Sequence, residues 1–507
     1  MAKLILTHDL GTSGGKTVLF DSETGAVLAK EHGDYTTFYG QDGAVEQNPA
    51  DWWKVVCQNT QRLLSRFDKK DIAAVSFSAM MMGVTAVNKK GEPLCNSLIW
   101  ADGRSKKQMD VLEERMGPER LYEVSGLRAS PYYSLSKLMW IKEHRPEIYK
   151  ETYKTLHCKE YLVHKLTGKM VTDYSDASGT MAFDVRNKCW SSELLAAADV
   201  DGEKFPQMLP GYTVVGEVTP AAAAECGLAP GTPVVLGGGD GPCCRVGMGA
   251  VKPGRECVNI GTSALDSLIM DRPIDDKARR VINFNHILPH LVSVTGTMQA
   301  AGASITWMKD NLCKEEAARA EKEGGGIFSY INENASSSPL GSNGLLFLPY
   351  LQGERAPHWD AHAKGVFLGL TMKHTANDMK RAVYEGIAMN LGLVHQVLAA
   401  NAPKVSDRLV LTGGAAKSRI VSQTMADVFG MDMVITNLSD EVGAFGAMIV
   451  AGHGIGLYPD LDMAEKFMKV EEIIHPIEEH VRYFERLLPV FLESYEALKG
   501  VFPKVGV

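Results

Sequence analysis

Three residues in one order, glycine, threonine and serine, occur twice in this chain, as Gly11-Thr12-Ser13 and, 250 positions later, as Gly261-Thr262-Ser263. A turn of this kind exposes successive main-chain N–H groups and adds two hydroxyl donors, which together make a concavity suited to an anion such as phosphate. The same three residues also serve an ordinary hairpin. Asp9 leaves the segment before the first turn, where a carboxylate can hold Mg2+ directly or through water. Lys16 follows at its end, beside the turn or simply solvated at a strand start. The stretch from Asp9 to Lys16 ends like a P-loop, G-x-x-x-x-G-K-[ST], but the required first glycine falls on Leu10, so that motif is rejected.

Gly237-Gly238-Gly239-Asp240-Gly241 is the second constellation. Three glycines let another group approach the backbone, and one acid stands at the exit of an apolar run. Such a carboxylate can take a proton from a substrate hydroxyl as phosphorus is attacked. It can equally be a turn aspartate bonded to its own backbone. Thr412-Gly413-Gly414-Ala415-Ala416-Lys417-Ser418 offers small residues on which a flat base or ribose can lie.

These groups need elements to hold them. Lys3–Thr7, Lys16–Phe20 and Ala26–Ala29 read as strands separated by glycine-rich turns. Asn48 and Pro49 read as the cap and first residue of a helix with an apolar face at Trp52, Val56, Leu63 and Phe67. Ile72–Phe77 and Val84–Val87 read as further strands, 105–170 as mostly helical, and 233–239 as a buried strand entering a glycine turn. In the second half, Glu256–Ile260 and Leu265–Met270 flank the second Gly-Thr-Ser. Thr375 to Asp378 reads as a capping box ahead of a long amphipathic helix, and Leu409–Leu411 as a short strand. The echo, each copy between two strands, points to two related domains.

Composition sets limits. The chain has 507 residues, 45% hydrophobic and 22% charged, so it is globular and too long for one domain. Its 53 basic and 61 acidic residues leave a net charge of −8, which argues against nucleic-acid binding. The opening apolar run is too short for a signal peptide, and no stretch has the length of a membrane span. Nine cysteines without a C-x-x-C pair suit a reducing, cytoplasmic setting.

Taken together, the motifs resemble the FGGY family of carbohydrate kinases, in particular its xylulokinase-like branch. Tyr132 to His144 is similar to the family's first signature. Gly365 to Leu370, followed after seven residues by Asp378 to Glu385, is similar to the second. Leu98 to Arg104, Tyr350 to Pro357 and Glu441 to Ala447 extend the likeness across the chain. The resemblance implies an α/β fold of two actin-like (ribonuclease H-like) domains flanking a deep catalytic cleft. The expected division is 1–247 on the sugar side with the first phosphate loop, and 248–507 on the nucleotide side. It implies ATP-dependent phosphorylation of a sugar or polyol hydroxyl, most readily a ketopentose such as D-xylulose, with Mg2+ at Asp9 and Asp240 as general base.

By the same likeness, Gly11, Thr12, Ser13, Lys16, Gly261, Thr262, Gly302, Thr306, Gly413, Gly414 and Ser418 serve the nucleotide. Met81, Met82, Trp100, Asp102, Tyr132, Asp240 and Gly241 serve the acceptor. Two of these depart from the family: Met82 stands where xylulokinases show His, and Gly241 where they show Asn or Gln. Each missing hydrogen bond is worth roughly 0.5–1.5 kcal/mol, enough to redirect specificity. Glu354 and Arg355 read as a structural pair. A small-molecule substrate, no nucleic acid, no membrane and a homodimer complete the expectation. Alternatives are a kinase of another ketose, alditol or glycerol-like polyol, or an actin- or chaperone-like nucleotide-driven protein. A catalytically silent sugar-binding homologue is a further reading, which the presence of Asp9, Asp240 and both turns opposes.

Overall fold

The computed structural model describes residues 3–402, 405–437 and 441–505. The chain forms two compact units. One comprises Met1–Pro253, Ile269–Ser293 and Glu441–Met468; the other comprises Gly254–Leu268, Val294–Asp440 and Lys469–Val507.

The first unit is built on a sheet of β1 (Leu4–Leu10), β2 (Gly14–Asp21), β3 (Val27–Asp34), β4 (Ile72–Ala79), β5 (Val214–Glu217), β6 (Pro233–Val235) and β7 (Gly238–Gly239). Its order is β5-β6-β4-β1-β2-β3, with β7 pairing β4. β1 runs antiparallel to β2 and parallel to β4, so the first Gly-Thr-Ser turn closes a hairpin at the end of a central strand. Ile5, Leu6, Val18, Leu19, Val75 and Phe77 are buried in this sheet, whose strands read as near-continuous apolar runs. The helix Pro49–Leu64 starts as the sequence requires, with the Asn48 side chain accepting from the Ala50 N–H and Pro49 in its first turn. Its Trp52 and Val56 pack into the core with Leu63.

The expected strand over 233–239 is split. Gly237 adopts φ +76°, and a Cβ there would lie 2.1 Å from the Phe77 carbonyl oxygen. The chain therefore kinks between β6 and β7, and the kink redirects it toward Asp240. The 105–170 region is helical, as expected, except for a short strand at Lys154–Leu156.

The second unit contains β8 (Glu256–Ile260), β9 (Ala264–Met270), β10 (Val292–Met298), β11 (Arg408–Thr412), β12 (Asp432–Thr436) and β13 (Val470–Ile474). Six consecutive strands run β10-β9-β8-β11-β12-β13. β8 is antiparallel to β9 and parallel to β11, and β12 is antiparallel to β13. Read from the other edge, β11-β8-β9-β10 repeats β4-β1-β2-β3, and β12 stands parallel to β11 as β6 stands to β4; only the antiparallel edge strand differs in chain order, β5 preceding β6 and β13 following β12. The Gly-Thr-Ser echo is thus one corner of a repeated topology. The long helix Ala376–Asn401 opens on the expected capping box of Thr375 and Asp378, and Val383, Ile387 and Leu391 enter the core.

Candidate functional site

In the first unit, Asp9, Asp240 and the first turn are placed by one sheet edge and two helices. The helix Asp240–Gly247 begins directly after β7, so the kink at Gly237 sets where Asp240 emerges. The helix Val442–Gly454 packs closely on it and also on β1 and β4. A Cβ on its Gly443 would lie 3.0 Å from Ser78 Oγ and 3.4 Å from Asp9 Oδ1, so glycine lets this helix start near Asp9 without displacing either side chain.

Asp9 Oδ1 accepts a hydrogen bond from Ser78 Oγ (2.7 Å). Burial raises its pKa above the ordinary carboxylate value; the Ser78 bond and the Lys16 charge act against that, and Glu441 adds to it. Asp240 is exposed, although protein is packed densely around its carboxyl. Its pKa is pushed up to about 6, first by desolvation and then by the charges of Asp9 and Asp176; the Gly241 N–H and Arg245 oppose the rise. The Gly241 N–H donates to Asp240 Oδ1 (2.7 Å). The turn-aspartate bond is therefore made, and it is made with one oxygen.

The first turn is braced from behind. Trp52 Nε1 donates to Gln47 Oε1 (2.8 Å), and Gln47 Nε2 donates to the Thr12 carbonyl (2.7 Å). Trp100 Nε1 donates to Thr12 Oγ1 (2.9 Å), which puts this acceptor-side candidate against the phosphate turn. Gly11 and Ser13 are exposed, and Thr12 is half-buried. Lys16 Nζ pairs with Glu441 Oε2 (2.9 Å). Met81 is buried against the backbone of Gly239, and Met82 has a left-handed φ of 64° beside Gly179. Asp102 is fully buried; its carboxylate pairs with Arg104 (2.7 Å) and accepts the Val45 N–H (2.8 Å). The exposed Tyr132 ring borders Gly103.

Sequence reasoning missed several supporting groups. Lys137 is fully buried, and its ammonium donates to the carbonyls of Met82 (3.1 Å), Trp100 (3.4 Å) and Tyr132, tying three acceptor-side candidates together. Desolvation pushes its pKa down to about 7. The Gly239 N–H donates to Ser175 Oγ (3.4 Å), and Ser175 Oγ donates to Asp173 Oδ2 (2.6 Å). Asp173 is in turn held by buried Lys159. This chain of contacts fixes the residue before Asp240. Only the first-signature lysine carried a sequence signal; the others meet across long separations.

In the second unit a cavity of about 420 Å³ is lined by Gly261, Thr262, Gly302, Thr306, Gly414 and Ser418, which are six of the seven nucleotide-side candidates there; Gly413 is not among its lining residues. Gly413 stands at the head of the short 3-10 turn Gly414–Lys417. The N–H groups of Gly302 and Ala303 donate to the carbonyls of Gly261 (3.0 Å) and Thr262 (2.9 Å), joining the turn to the helix Gly302–Leu312. Ile260, Ile305, Val421, Phe328, Asn332 and Tyr384, with Ala415 and Lys417, complete the wall. The volume and mixed lining suit a nucleoside-sized ligand. Glu354 meets Arg355 through the backbone: its Oε1 accepts the N–H groups of Arg355 (2.8 Å) and Gln299 (2.7 Å).

Two units of one repeated topology, one presenting a raised-pKa carboxylate and the other a nucleoside-sized cavity, describe a phosphotransferase of the two-domain kind. Comparison places it within that class. Residues 4–247 match the N-terminal domain of the FGGY family of carbohydrate kinases, and residues 257–455 match its C-terminal domain. The chain is 32% identical to a gluconokinase of Bacillus licheniformis over 100% of its own length and 98% of the relative's. It is 30% identical to a xylulose kinase of Staphylococcus xylosus, covering 97% of this chain and 99% of that one. The ligand-bound xylulose kinase from Lactobacillus acidophilus superposes with a TM-score of 0.92 at 29% identity, covering 99% and 100% of the two chains. The chain belongs to the FGGY family and is a carbohydrate kinase, for which ATP is the phosphoryl donor. Among the described residues, no helix is long and apolar enough to cross a membrane. All nine cysteines are free thiols.

Proposed function

We propose that this kinase transfers the terminal phosphoryl group of ATP to a hydroxyl of a small ketose, with D-xylulose as the leading acceptor and Asp240 as general base. The observation that carries the reading is Asp240 itself: a solvent-reachable carboxylate with a pKa of about 6, mostly ionised at neutral pH and still basic enough to accept a proton. One of its oxygens is held by the Gly241 N–H, which orients the other for the acceptor hydroxyl. As the acceptor oxygen attacks phosphorus, its proton passes to Asp240. Positioning does most of the remaining work.

In this reading residues 1–247 serve the acceptor side and 248–507 the nucleotide side. The donors of both Gly-Thr-Ser turns, with Lys16, serve the polyphosphate; Gly302, Thr306, Gly413, Gly414 and Ser418 serve the nucleoside. Met81, Met82, Trp100, Asp102, Tyr132 and Gly241 shape the acceptor side, Asp102 acting through Arg104 and the backbone. The residues fit Mg2+: Asp9 is an enclosed carboxylate, and its charge raises the pKa of Asp240, a repulsion that a cation would relieve. When bound, Mg2+ would neutralise phosphate charge.

A second acceptor class, an aldonate such as gluconate, is favoured by one observation. A Cβ on Gly241 would lie 3.2 Å from Arg245 Nη1, so the absence of a side chain leaves that cation close behind the backbone next to the base. ADP release should be measured against ketopentoses, hexuloses, alditols, glycerol and aldonates. Acceptor-dependent ADP release is expected, and hydrolysis indifferent to every acceptor would overturn the proposal. If the acceptor is an aldonate, Arg245→Gln should lower its kcat/KM about tenfold or more beyond whatever change the same variant makes in ketose kcat/KM through Asp240, the loss expected of one charge-assisted hydrogen bond.

A further inference from the structure

The second unit holds a buried polar cluster that the kinase reaction does not use. Glu256 opens β8 and Asp266 lies on β9. In the register Glu256 faces Leu268 and Val258 faces Asp266, so the two acids are diagonal neighbours on one face of the hairpin. His395, from the helix Ala376–Asn401, lies over that face with Nδ1 2.8 Å from Glu256 Oε1. One ligand atom from each of the three residues lies within 4.8 Å of the other two. Glu256 is 3% exposed and Asp266 is 0% exposed.

Among the described residues no donor group faces either oxygen of Asp266 or Oε2 of Glu256, and the two carboxyls lie within hydrogen-bond reach of each other. Ionised carboxylates only accept, so the two acids cannot satisfy each other, and buried charge without compensation is strongly disfavoured. Something positive belongs between them. A single shared proton would serve one oxygen of each acid and, with the imidazole Nδ1–H donating to Glu256 Oε1, still leave the other Asp266 oxygen without a donor. A divalent ion would neutralise both charges and take the imidazole as a third ligand.

We propose that Glu256, Asp266 and His395 form a binding site for one divalent transition-metal ion, Zn2+ or Mn2+, that ties the β8–β9 hairpin to the helix Ala376–Asn401. Two carboxylate oxygens and one imidazole nitrogen are the donor set these ions accept. His395 is 14% exposed at its side chain, which gives the ion a way in. Without a cation, burial pushes the Glu256 carboxyl up to about 7 and the Asp266 carboxyl up as well, first by desolvation and for Asp266 also by the neighbouring Glu256. Since β8 and β9 flank Gly261-Thr262-Ser263, the ion would stiffen the hairpin that carries the second turn.

Chelator-stripped full-length protein should be titrated with ZnCl2 and MnCl2 in the absence of nucleotide and acceptor, following stoichiometry by calorimetry and stability by thermal melting. One equivalent of at least one ion should bind, and Tm should rise by about 5 °C at a hundredfold excess over Kd. Asp266→Asn, close in shape and uncharged, and His395→Gln should each weaken that binding about tenfold or more. Asp9→Asn should leave it unchanged, which separates this site from the Mg2+ position. Failure to take up either ion overturns the proposal. So does one-equivalent binding that survives both Asp266→Asn and His395→Gln.

Discussion

Replacing Asp240 by Asn isolates the chemistry from the scaffold, because the two side chains are nearly isosteric. General-base catalysis typically contributes about 10²–10⁴-fold, so kcat for Asp240→Asn should fall by at least about a hundredfold with ATP affinity nearly intact. The wild-type profile should carry the same signature. With a pKa of about 6, roughly nine-tenths of Asp240 is ionised at pH 7 and roughly a tenth at pH 5. Turnover should therefore fall about tenfold between those values, with the acid limb centred near pH 6.

Stability should move the other way. The folded pKa lies above the ordinary 3.8, so the ionised carboxylate costs stability, beginning near pH 4 and in full above pH 6. Wholly realised, that shift is worth about 3 kcal/mol. Solvent reaches the side chain, and discounting for its screening leaves about 1 kcal/mol. Asp240→Asn should then melt at or slightly above the wild type at pH 7.5. Coupled measurement of ADP release across pH 5–8, with parallel thermal melts, tests both halves. Retention of more than a tenth of wild-type turnover, or an acid limb centred below pH 5, would refute the base assignment.

Two further substitutions probe the support of Asp240. Ser175→Ala removes the hydroxyl that joins the Gly239 N–H to Asp173; kcat should drop about threefold to tenfold, as one lost hydrogen bond implies, with KM for ATP unchanged and the acid limb displaced. An unmoved pH profile would mark Ser175 as merely structural. Gly237→Ala forces a Cβ to within 2.1 Å of the Phe77 carbonyl at a left-handed φ, so thermal melting should show a loss of more than about 3 kcal/mol; a soluble variant of unchanged Tm would contradict the kink as described.

Much of this was legible in the primary structure where the signal is local. Asn48 with Pro49, and Thr375 with Asp378, announced their helices because capping chemistry lies within four residues. The paired Gly-Thr-Ser turns announced the repeat because each sits on a hairpin that needs small, donor-rich residues. The split at Gly237 was not legible, since an apolar run reads the same whether or not it kinks. Nor was the partnership of Lys16 with Glu441, 425 positions away, or the meeting of Glu256, Asp266 and His395. Such contacts depend on which strands become neighbours, and hydrophobic period does not report that. Asp102 shows the same limit: its type suggested a role at the acceptor, while its engagement with Arg104 and the Val45 N–H became visible only in three dimensions.

The return of Glu441–Met468 to the first unit has a bearing on biosynthesis. The helix Val442–Gly454 buttresses the one that begins at Asp240, and its first residues abut Asp9. A ribosome must therefore reach Gly454 before Asp9 and Asp240 gain their final support, although N-terminal segments ordinarily mature first. A gene cut between the two halves would yield an amino-terminal product lacking its own keystone, and premature termination anywhere before this segment would leave a nascent chain without a finished reaction centre.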